Sequence, residues 1–243
     1  MLLRKKKIRS HSEDRLLALT LATTAGILNA MAFGAFGFFP SHMTGNTSQI
    51  SAEVTGSDLH DLLFLAVLIA AFVTGAMLSR LAVAFGLKRS LRTIYCLVLL
   101  AEGVALALTA LVEILWYSER NNGEILVTLS FLMGIHNSTS TQLSSGRVRS
   151  THVTGTLTDA GIALGSWLRA SLSQSEAADR ALHRTVLLTH MVTIFSFLSG
   201  CVAGYLLFKL LGFEAMTGLG IVLALIAAGG IARTLHLTGV RFW

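Results

Sequence analysis

Residues 16–39 read LLALTLATTAGILNAMAFGAFGFF, 24 positions without a formal charge. Hydrocarbon satisfies no backbone hydrogen bond, so a segment that crosses a bilayer does so as a helix of about 20 apolar residues. The stretch predicts such a helix. The basic residues ahead of it, Arg4, Lys5, Lys6, Lys7 and Arg9, resemble the start of a signal peptide. A signal peptide, however, has an apolar core of only about 7–15 residues followed by a small-residue cleavage site. The longer run reads as a retained first span behind a basic tail at 1–15.

Five further stretches match it: 62–85, 91–116, 125–143, 185–211 and 215–235. Their abundance explains the composition, 53% hydrophobic and only 13% charged with a single proline, and a mean hydropathy of +0.68. Soluble domains carry roughly 25% charged residues. The expectation is an all-α polytopic membrane protein of six spans. Arginine and lysine give its orientation. Arg15 and the tail, Arg80, Lys88, Arg89 and Arg92, then Arg147, Arg149, Arg169, Arg180 and Arg184, and finally Arg233 and Arg241 all fall on one side of a six-span chain. The other side holds only Arg120 and Lys209, beside Glu53, Asp58, Asp61, Glu119, Glu124 and Glu214. The positive-inside rule puts the basic side, with both termini, in the cytoplasm. This accounts for the net charge of +6 without a nucleic-acid partner, since no basic face with interleaved aromatics accompanies it.

The first span contains Gly26-Ile27-Leu28-Asn29 and is followed by His42-Met43-Thr44-Gly45. The fourth contains Gly134-Ile135-His136-Asn137 and is followed by His152-Val153-Thr154-Gly155. Two matches in the same order, at equivalent places in the hydropathy profile, indicate a duplication of three-span halves, 16–117 and 125–238, joined by an outer loop at 118–124 and followed by a cytoplasmic C-terminus at 239–243. Three is odd, so the second half enters from the opposite face. Such inverted repeats are a transporter plan, with the solute site near the midplane. After each H-x-T-G comes a half-polar stretch, TGNTSQISAEVTG at 44–56 and TGTLTDAGIALGSWLRAS at 154–171, too weak or too short to span. These read as re-entrant or broken half-helices, N-capped by Thr44 and Thr154, with Pro40 stopping the first span. Their N-termini offer free N–H groups to an anion or polar oxygen. Polar backbone at membrane depth is tolerated only inside protein or beside a water-filled cavity.

Through the segments from Gly26 to Asn46 and from His136 to Thr156, the chain resembles the bacterial YoaK-like membrane proteins, domain-of-unknown-function family 1275. The resemblance covers nearly the whole chain. It implies a small bacterial inner-membrane protein and supplies no reaction; a transporter is the usual reading.

Candidate solute-binding residues are His42, Thr44, Gly45, Asn46, His152, Thr154, Gly155 and Thr156, with Asn29 and Asn137 in the spans. The histidines either bind solute and shuttle protons or cap the half-helices. The asparagines either line the solute path or bond across helices. Glu102, mid-span, and Asp159, opposite Gln49 in the repeat, are candidates for proton coupling. Glu113 reads as solvated near the outer boundary, and His190 as a packing histidine. Small-residue ridges, Ala22/Gly26/Ala30/Gly34, Ala71/Gly75/Ser79 and Ser196/Gly200/Gly204, allow close helix approach. Cys96 and Cys201 read as apolar packing residues. The sequence has no HExxH, P-loop or metal-ligand spacing and calls for no cofactor. Ser199-Gly200 follows Phe197 where an intramembrane serine protease needs glycine. The expectation is a non-enzymatic transporter of a small polar or anionic solute, possible as a homodimer. A channel and a non-transporting module for assembly or sensing are the alternatives.

Overall fold

A computed structural model describes residues 10–56, 59–116, 122–173 and 177–238. The basic residues 4–9, with Asp58, Glu119, Arg120 and Arg241, lie outside them. The described residues form eight helices and no strand: α1 (His11–Phe36), α2 (Met43–Gly56), α3 (Leu59–Lys88), α4 (Ile94–Trp116), α5 (Asn122–Ser144), α6 (Val153–Leu172), α7 (Ala177–Leu211) and α8 (Phe213–Thr238). The half-polar stretches after each H-x-T-G are helical, as α2 and α6.

Local chemistry sets the ends. Ser10 and Glu13 form a capping box that starts α1 ahead of its apolar run. Gly37, at φ 68°, ends it with a bond from its N–H to the Phe33 carbonyl. At the end of α5, Ser144 Oγ accepts from Val148 N at 2.8 Å and donates to Val148 O at 3.0 Å, folding the chain back at once. Helices α7 and α8 are separated by Gly212 alone, at φ 57°.

Among the described residues, α1, α3, α4, α7 and α8 are long and apolar enough to cross a bilayer. Apolar side chains such as Leu63, Val73, Met77, Phe85, Leu108, Phe195, Val202 and Leu225 are exposed on them. In water this would be a large uncovered apolar surface; in lipid it is the solvated one. Helix α5, expected as the fourth span, falls short on hydropathy. Its C-terminal half, His136 to Gln142, is almost wholly polar. That polarity is met by protein: Ser138 Oγ donates to Ala76 O at 3.0 Å, Thr139 and Ser79 share a hydrogen bond at 3.1 Å, and Arg80 donates to Gln142 at 3.1 Å. A helix walled in by α3, α4 and α1 has no need of an apolar surface.

The closest packing is between helices distant in sequence, and it uses the predicted glycines. A Cβ at Gly26 would run into the Phe197 carbonyl, one at Gly200 into the Thr23 carbonyl, and one at Gly204 into the Ile27 carbonyl. From Thr23 with Gly200, through Ile27 with Gly204, to Gly34 with Phe208 the positions advance together, so α1 and α7 run parallel. In the same manner Gly134 abuts the Phe72 carbonyl and Gly75 the Phe131 carbonyl; further along both helices Ser79 meets Thr139 and Arg80 meets Gln142, so α3 and α5 also run parallel. Helices α4 and α8 cross antiparallel, Gly103 against Ala224 and Gly220 against Ala107. At one end of the bundle Arg147 Nε lies 2.6 Å from the carboxylate of Asp14, which is fully buried.

Candidate functional site

Asn29 stands seven residues before the end of α1, about 10 Å along it at 1.5 Å per residue. Its Oδ1 accepts from Ser41 N at 3.2 Å and from Ser41 Oγ at 2.9 Å. The chain leaving α1 therefore doubles back along it before α2 begins. Asn137, likewise seven residues before the end of α5, accepts from Thr151 N at 3.1 Å and donates through Nδ2 to Thr151 Oγ1 at 2.5 Å. Each asparagine ties a returning turn to the helix it came from, rather than one helix to another.

Each turn delivers a histidine. The His42 carbonyl accepts from Asn46 N, and the His152 carbonyl from Thr156 N, both at 3.0 Å. His152 is thus the N-cap of α6 by its backbone, and its side chain makes no capping bond. The expected caps, Thr44 and Thr154, are instead the second helical residues. Gly45 and Gly155 lie under the imidazole rings, where a Cβ would strike the ring of His42 or His152. Lacking that atom, they let both rings lie over the helix starts.

The two turns meet at one cavity of ≈ 650 Å³. Six of the expected site residues line it: Asn29, His42, Thr44, Asn137, His152 and Thr154. Gly45, Asn46, Gly155 and Thr156 are not in its wall; Asn46 and Thr156 are buried in the first turns of α2 and α6. The rest of the wall includes Ser41, Thr151, Phe39, Phe72, Phe197, Thr141, Cys201 and Arg149. Arg149 was counted only for orientation. It is exposed to the cavity and, among the described residues, has no ion-pair partner. The wall holds one permanent cation and two histidines but no carboxylate, and Thr44 and Thr154 set the first turns of α2 and α6, the positive ends of their dipoles, beside it. Such a wall suits an anion.

Glu102 and Asp159 lie elsewhere. Asp159 is exposed on α6. Glu102 is 2% exposed and lies 2.6 Å from His136 Nδ1, whose Nε2 is 2.9 Å from the Leu21 carbonyl. His136 was legible only as a letter of the G-I-x-N echo. Glu113 is not solvated but buried, at 2% exposure, with Oε2 unbonded among the described residues.

No curated protein and no solved structure matches the chain. The family described as "Protein of unknown function (DUF1275)" matches residues 17–229, and the chain, a membrane-type helical protein, belongs to that family.

Proposed function

We propose that the protein carries a small polar or anionic solute across the bacterial inner membrane, through a site between two inverted repeats of three spans each. One observation carries the reading: two related turns, one from each half, fold back beside their own helices and expose equivalent residues to a single cavity. Backbone bent in this way within a membrane protein belongs where it lines a solute path.

Helix directions support the six-span topology. Counting α5 as a crossing makes α1, α4 and α7 run one way and α3, α5 and α8 the other. The parallel packing of α1 on α7 and of α3 on α5, with α4 antiparallel to α8, agrees with that alternation. Omitting α5 would set α1 and α7 antiparallel. The repeat is supported by interchange: the contact of α1 with α7 becomes that of α5 with α3 when the halves are exchanged, down to Gly26 and Gly134 on the carbonyls of Phe197 and Phe72. With the basic loops inside, the His42 turn enters from the periplasmic face and the His152 turn from the cytoplasmic face.

Proton coupling falls in this reading to Glu102, through His136, the neighbour of the cavity residue Asn137. Asp159 has no part in it. The test is solute uptake into proteoliposomes. His42→Ala and His152→Ala each abolish uptake while the melting temperature is kept, and Glu102→Gln abolishes the dependence on a pH gradient. Wild-type levels of uptake in both histidine variants would refute the site.

A further inference from the structure

The cavity wall is nearly the same from both halves, and its exceptions describe the solute. Counting back from the paired turns, Ser41 corresponds to Thr151 and His42 to His152, while Phe39 stands where the other half has Arg149. All of them line the cavity. Four residues beyond the paired asparagines, Phe33 corresponds to Thr141. Phe33 stacks on Phe39 with ring centroids 4.4 Å apart and planes 5° from parallel, and Phe39 meets the His42 ring edge-on at 6.4 Å. Thr141, by contrast, shares the cavity wall with Arg149. One half contributes a rigid aromatic surface, the other a guanidinium and a hydroxyl. Phe72 and Phe197, themselves equivalent, add apolar wall from both halves.

Resting on the reading of this cavity as a solute site, we propose that its substrate is an organic anion with an apolar, ring-sized body: the carboxylate pairs with Arg149 and the body packs against Phe39. A small inorganic anion would leave three phenylalanines in the wall unused. An uncharged apolar solute would leave Arg149 without a counter-charge. A cavity of ≈ 650 Å³ lies in the range of roughly 300–1,000 Å³ that takes drug-sized molecules, and guanidinium is the group best matched to a planar carboxylate.

The experiment is equilibrium dialysis of the full-length protein in lipid nanodiscs against 2-naphthoate, its uncharged isostere 2-naphthamide, acetate, inorganic phosphate and decanoate. Hydrogen bonds to charged groups are strong enough that naphthoate is expected to bind about tenfold or more tighter than naphthamide. Arg149→Gln removes that preference, Arg149→Lys retains part of it, and Phe39→Ala weakens naphthoate without changing acetate. Decanoate binding in place of naphthoate, even with the same dependence on Arg149, overturns the ring-sized body and points to an acyl-chain carboxylate. Equal binding of acid and amide, or a preference that survives Arg149→Gln, overturns the proposal. If acetate or phosphate binds as tightly as naphthoate and is lost in His42→Ala, the cavity remains a solute site and only the anion class proposed here fails. If no probe binds, both readings fall.

Discussion

His136 is sealed into the bundle with an acceptor at each ring nitrogen. The Leu21 carbonyl can only accept, so Nε2 carries a hydrogen, and Nδ1 shares a single proton with Glu102. Removing one member of a buried pair costs about 3–5 kcal/mol, because the other is left without a partner. Glu102→Ala is expected to lower the melting temperature in detergent sharply. Glu102→Gln costs less, since its amide can donate to an unprotonated Nδ1; a Gln variant as unstable as the Ala variant would contradict the proton assignment. The cysteines offer a second contrast. Cys201 lines the cavity, whereas Cys96 is fully buried in the core. A small water-soluble thiol reagent is expected to modify Cys201 and spare Cys96, as read by peptide mass spectrometry. Reading both as packing residues was right for Cys96 and incomplete for Cys201, since hydropathy ranks a cysteine alike on either side of a helix.

Between elements, the glycines decide how near two helices come. At Gly26 and Gly134 an added methyl meets backbone that cannot rotate away. Overpacking of this sort costs about 1–3 kcal/mol, so Gly26→Ala and Gly134→Ala should each reduce thermal stability measurably. Gly161 and Gly165, on α6, have open space where a Cβ would be. Alanine there removes only the helix penalty of glycine, about 0.8–1.0 kcal/mol, and the protein should gain slightly or stay level. The small-residue ridges were readable in the sequence because lipid leaves van der Waals contact as the main force between spans. Their partners were not readable: nothing in Gly26 points to Phe197 rather than to a neighbouring span. Helix α5 shows the opposite failure. Its run of His, Asn, Ser, Thr and Gln lowers its hydropathy because its neighbours, not lipid, receive those groups.

For the molecule as a whole, the sequence nominated residues that share one cavity but said less about the rest of its wall. The H-x-T-G echo was enough to nominate both turns, and the structure brings them to one cavity. Arg149 was hidden in plain view, since a loop arginine satisfies the orientation rule whether or not it also faces a solute. The two proposed roles can be separated by experiment. Arg149→Gln should leave the accessibility of reporter cysteines in the α3–α4 and α5–α6 loops unchanged, because many other cations remain on that side, while anion binding is lost. A change of orientation would show that Arg149 serves topology first.

The partnership of α1 with α7 also has a consequence for biogenesis. Helix α1 leaves the ribosome well before α7, yet the face it presents is complementary to that later helix. Until α7 is made, α1 lacks the backbone against which Gly26 packs. Helices α1, α3 and α4 each pack most closely on a helix beyond α4, so a chain arrested after α4 is expected to stay loosely associated and open to proteolysis. Supplying residues 122–243 as a separate polypeptide should rescue it, with each fragment providing the missing neighbour of the other.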